Sequence, residues 1–155
     1  MNRSYALING FDQLKRQELH TAEYYLGAAG MAADNGNLDL ARLYRNLRES
    51  HGDLALAFEN MRHDLEKSDP DGMWGETLHA FIDAFKAFIA DMPVLFIESE
   101  THPTPETFVE FETRLLERYG SLAEKADERG RELLERAIAS GERHLRQLRQ
   151  FEESR

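Results

Sequence analysis

The sequence contains no cysteine. That absence excludes disulfides, thiol nucleophiles and every cysteine-based zinc or iron–sulfur site. Proline and glycine are scarce, at 4 and 10 of 155 residues, so a chain built from many turns and short strands is disfavoured. No glycine-rich phosphate loop and no Ser-His-Asp order appear. Long apolar runs are also missing. The longest strongly apolar stretch is Pro93 to Ile97, far short of a membrane span. The first eleven residues lack a basic segment followed by an apolar one, so no signal peptide is expected and a soluble, cytoplasmic protein is. Positive charge is not in excess. The net charge of −10, with basic residues interleaved among acidic ones, argues against a nucleic-acid backbone as partner.

What is abundant is Ala, Leu, Glu and Arg, the composition of an all-α protein. The length fits a single domain, 1–155, with a substantial core. Apolar residues recur at alternating spacings of three and four, the seam of a packed helix. The first seam reads Phe11, Leu14, Ala22, Tyr25, Ala29, Ala32, and Asn35-Gly36 ends it, because glycine takes the left-handed C′ conformation cheaply. The second reads Leu40, Tyr44, Leu47, Leu54, Phe58, Met61, Leu65, closed by Ser68-Asp69-Pro70-Asp71-Gly72. A third helix is expected from about Met73 to Met92, with Pro93 kinking or breaking it. Thr104-Pro105-Glu106 reads as a helix start, with N-cap, proline at N1 and an acid in the first turn. Phe108, Leu115, Tyr119, Leu122 and Ala126 follow, and Gly130 is expected to turn the chain. The last seam is Leu134, Ala137, Gly141, Leu148, Phe151, with Ile138, Leu145 and Leu148 as a competing row.

Each of the four long seams is interrupted by one polar residue: Glu18, His51, Glu112 and His144. An inward carboxylate or imidazole is costly unless it is hydrogen-bonded, paired or metal-bound. The four also fall into a repeat of about 94 residues. Glu18 matches Glu112, Tyr25 matches Tyr119, and Ala32-x-x-x-Gly36 matches Ala126-x-x-x-Gly130. After a one-residue gap, Glu49-Ser50-His51 matches Glu142-Arg143-His144. Two antiparallel hairpins joined by a crossover carrying an extra helix would make a four-helix bundle. Glu18 lies eighteen residues before Gly36 and His51 fifteen after it, so the two should face each other within about one turn. Glu49 and Glu142, two residues from the histidines, point elsewhere on the helix. Tyr25 and Tyr119 read as core residues whose hydroxyls can reach the glutamates. His20, His63, His79 and His102 fall off the seams or in loops.

Glu18, Tyr25, Ala29-x-x-Ala32-x-x-x-Gly36 and Ala41-Arg42-Leu43-Tyr44 resemble the first hairpin of the ferritin-like superfamily, within it the rubrerythrin group. The resemblance is close over residues 11–60 and looser over 105–150. It implies a ferritin-like four-helix bundle holding two iron or manganese ions on a Glu from each first helix and a Glu-x-x-His from each second helix. Glu18 and Glu112 match the first-helix glutamates. The second-helix motifs depart from the pattern: His51 stands at the position of the family's Glu and Leu54 at that of its His. The expectation is therefore a modified centre, with Glu18, His51, Glu112 and His144 as metal ligands for iron, manganese or zinc and a redox or oxygen-handling role. The alternative is two Glu–His pairs without metal, in a bundle that works as an interaction protein. The aromatic row Trp74, Leu78, Phe81, Phe85, Phe88, beside Ile82, Ile89 and Phe96, leads us to expect a homodimer through Phe81–Phe96.

Overall fold

The computed structural model describes residues 3–68, 103–126 and 128–154. They form four α-helices and, among the described residues, no strand: α1 (Arg3–Asp34), α2 (Leu38–Ser68), α3 (Pro105–Lys125) and α4 (Glu128–Glu153). The expected crossover helix over 73–92, and the dimer contact through Phe81–Phe96, lie outside the described residues.

The end of α1 follows from its glycine. Gly36 has φ +79°, and the amides of Gly36 and Asn37 return to the carbonyls of Ala33 and Ala32 at 3.0 and 2.8 Å. This is a Schellman closure, which satisfies carbonyls that the helix end would otherwise leave unpaired. Asn37 then caps α2, its Oδ1 accepting from the Leu40 amide at 3.2 Å. The start of α3 also follows from its residues. Thr104 is the N-cap, Pro105 occupies the first turn, and Thr104 and Thr107 bond reciprocally as a capping box.

The second turn corrects the expectation placed on Gly130. That residue sits in the first turn of α4, and the chain reverses four residues earlier, at Ala126, whose backbone is extended (φ −78°, ψ 157°). The carbonyls left at the end of α3 are taken by a side chain instead of a glycine turn. Arg131 donates Nε to the Ala123 carbonyl at 3.1 Å and Nη2 to that of Ala126 at 3.3 Å, placing a cation at the negative end of the helix dipole.

The seams face inward as their spacing requires. Two apolar clusters result, each fed by all four helices. One holds Phe11, Leu14, Leu54, Phe58, Leu115, Leu122 and Leu134; the other holds Tyr25, Ala29, Tyr44, Leu47, Phe108 and Leu148. The beginning of α1 thus shares a cluster with the end of α3, and its later half meets Phe108 at the beginning of α3, so α1 and α3 run antiparallel. Glu18, His51, Glu112 and His144, none more than 1 % exposed, belong to neither cluster and lie as a polar layer between them. On α4 the seam through Ala137, Gly141, His144 and Leu148 is buried; Leu145 of the competing row is buried as well, while Ile138 is only partly covered.

Candidate metal centre

Glu18 comes from α1, His51 from α2, Glu112 from α3 and His144 from α4. The structure brings all four together. His51 stands between the two carboxylates, its Nδ1 paired with Glu18 Oε2 and its Nε2 2.6 Å from Glu112 Oε1. Each glutamate also accepts from the tyrosine of the opposite hairpin. Tyr25 donates to Glu112 Oε1 at 2.9 Å, and Tyr119 donates to Glu18 Oε1. This crosswise exchange is what the Glu-x6-Tyr repeat produces when the two first helices lie antiparallel. The Tyr25 ring stacks on the His51 imidazole at 5.5 Å and on Phe108 at 4.1 Å, which fixes both rings.

His144 breaks the repeat's symmetry. Its Nδ1 is 3.4 Å from Glu112 Oε1, its Nε2 is 2.6 Å from Ser50 Oγ, and no contact joins it to Glu18. The early turn at Ala126 explains this. In the first hairpin His51 is about three residues nearer the turn than Glu18; in the second His144 is about three farther from the turn than Glu112. That offset, about 4.5 Å per three residues, puts His144 on the far side of Glu112 from the turn, where the repeat would have placed it on the near side, and there it meets Glu112 and not Glu18. Both imidazoles therefore converge on one carboxylate.

Charge in the layer is set by competition between burial and pairing. Burial opposes the His51 imidazolium, yet the charges of Glu112 and Glu18 and their hydrogen bonds override it and raise its pKa from 6.5 to about 10. Burial likewise opposes ionised Glu112, but the charge and hydrogen bond of His51, with His144 close by, hold it well below the usual carboxylate range. Tyr25 and Tyr119 are raised well above 10, first by burial and then by the adjacent carboxylates, so both are donors.

Within the layer of Glu18, His51, Glu112 and His144, one buried atom is left over. Nδ1 of His144 has no hydrogen-bond partner although the residue is 1 % exposed. An unpaired buried nitrogen aimed at a carboxylate is costly, and a cation between them removes the cost. His51, Glu112 and His144 each offer a ligand atom, all within 4.8 Å of one another. Two imidazoles and a carboxylate suit Zn²⁺, Fe²⁺ or Mn²⁺. Beyond these donors the cavity is lined by Glu18 and Tyr119 and by the apolar Leu54, Leu115, Leu116, Ala137 and Gly141.

The off-seam assignments hold. Glu49, Glu142, His20 and His63 are exposed; His79 and His102 lie outside the described residues. Sequence spacing did not single out Ser50, because its relevance depends on the register of α2 against α4. It also missed Gln17 and Thr21, both fully buried, where Thr21 Oγ donates to the Gln17 carbonyl at 2.8 Å. Compared with family models, with curated proteins and with solved structures, the chain gives no match.

Proposed function

We propose that this bundle binds a divalent transition-metal ion in its central polar layer and uses it for redox or oxygen chemistry. The observation that carries the reading is the unpaired, buried Nδ1 of His144 facing Glu112 beside His51. Iron or manganese is the preferred metal by the ferritin-like resemblance of the first hairpin, and the crossover helix over 73–92 belongs to the same proposal. The leucines and Ala137 beside the donors keep water away from them. The chain's own residues orient the donors: the tyrosines hold the glutamates, and Tyr25 with Phe108 holds His51 by stacking.

A second reading rests on the contacts of His51. Both of its nitrogens already face carboxylates, so the layer is partly self-satisfied without metal, as expected of a degenerate site in an interaction protein. Elemental analysis of the full chain, purified without chelator or histidine tag, separates the two. Retained iron or manganese, and a rise in melting temperature when Fe²⁺, Mn²⁺ or Zn²⁺ is added to stripped protein, supports the first, since a ligand of the native state must stabilise it. Metal-free protein whose melting temperature ignores all three ions selects the second.

A further inference from the structure

Resting on the metal-binding reading above, we propose that the centre holds one ion rather than two, on His51 Nε2, His144 Nδ1 and a Glu112 carboxylate oxygen, with Glu18 and Ser50 as positioning residues behind the imidazoles. Each imidazole has one nitrogen engaged from the side away from Glu112. Glu18 Oε2 takes Nδ1 of His51, and Ser50 Oγ takes Nε2 of His144 at 2.6 Å. The remaining nitrogens, Nε2 of one ring and Nδ1 of the other, both face Glu112 Oε1. A hydrogen bond on one ring nitrogen fixes which nitrogen keeps a lone pair for a metal.

The spacing agrees. Donors around a tetrahedral ion with bonds of ~2.1 Å lie about 3.4 Å apart. His144 Nδ1 and Glu112 Oε1 already have a separation of 3.4 Å without a hydrogen bond between them. The 2.6 Å from His51 Nε2 to Glu112 Oε1 is a proton-bridged distance. It needs to open by roughly an ångström when an ion replaces the proton. Glu18 is the wrong carboxylate for this ion: its Oε2 lies across the His51 ring, and its Oε1 is held by Tyr119. A second ion would have no imidazole of its own, because the early turn has moved His144 away from Glu18.

The test is a Co²⁺ titration of the stripped full chain, followed by visible absorption. One equivalent should bind, with the bands of a low-coordinate site. His144→Gln and Glu112→Gln should weaken binding at least 100-fold and abolish those bands. Glu18→Gln and Ser50→Ala should keep one equivalent but bind about 10- to 100-fold more weakly, with shifted bands. Helical circular dichroism of each variant, recorded in chelator, separates lost ligation from lost folding. Tight binding of a second equivalent overturns the proposal. So does Glu18→Gln abolishing the bands as completely as Glu112→Gln, or Ser50→Ala leaving affinity and bands unchanged. Failure of the unmodified chain to bind Co²⁺, Zn²⁺ or Mn²⁺ at all overturns instead the metal reading beneath it.

Discussion

His51 is the residue on which the metal-free layer depends. Its folded pKa of about 10 lies above its unfolded value of 6.5, so its pairing contributes stability that is complete below pH 6.5 and is lost as pH rises through about 10. Glu112 works in the opposite sense. Its folded pKa lies below its unfolded value of 4.5, so its contribution is present above pH 4.5 and is lost on acidification. The stripped protein should therefore be most stable, as far as this layer decides, between about pH 4.5 and 6.5. Glu59, held to about 2 by Arg62 and Lys15, also contributes to the acid limb, so the alkaline limb is the cleaner readout. The unfolding free energy from urea titrations in chelator should fall between pH 6.5 and 10 by more than the ~1 kcal/mol that a surface pair supplies. A flat profile would show that His51 is buried neutral. That a histidine and a glutamate would meet at this depth was legible from the seams, because an eighteen-residue and a fifteen-residue arm from one glycine turn fix their levels. Which nitrogen meets which oxygen was not, because ring orientation is decided by Tyr25 stacking and by Ser50, contacts made across helices.

Glycines mark the limits of reading at the level of the helix. Gly36 announced its turn because only a left-handed residue closes that helix cheaply, and Thr104-Pro105 announced α3 because capping chemistry is local. Gly130 misled because the second turn is closed by Arg131 reaching back five and eight residues, which needs no glycine. The helical glycines differ again in what surrounds them. A Cβ on Gly27 or Gly30 would meet nothing within 4 Å, whereas one on Gly141 would lie 2.7 Å from Leu116 Cδ2. Gly141 thus lets α4 approach α3 one turn before His144. Gly27→Ala and Gly30→Ala should each raise stability by up to about 1 kcal/mol through helix propensity. Gly141→Ala should forfeit that gain and destabilise by about 1–3 kcal/mol, because Leu116 must leave its place beside the site. Thermal melts of the three variants check this; three equal gains would show that Leu116 swings aside freely.

Across the four described helices, two apolar clusters are separated by a layer of buried carboxylates and imidazoles, an expensive way to fill a core. Buried ionic groups often stabilise no more than well-packed apolar side chains of similar volume. If the layer exists to bind metal, removing it entirely should help the stripped protein and disable the loaded one. The combined replacement of Glu18, His51, Glu112 and His144 by Leu, with Tyr25 and Tyr119 by Phe, joins the clusters fed by Leu54, Leu115 and Leu47, Leu148 into one core. In chelator this variant should remain helical and gain about 1–4 kcal/mol over the native chain. Glu112→Leu alone should lose about 3–5 kcal/mol, since it leaves His51 and His144 facing each other without their shared carboxylate. Adding Mn²⁺ or Zn²⁺ should then narrow or reverse the gap between the native chain and the combined variant, because only the native layer has donors to bind them. Denaturant titrations with and without metal read all three comparisons. A combined variant that cannot fold in chelator would mean that the layer specifies the packing of the four helices, and that its chemistry is structural first.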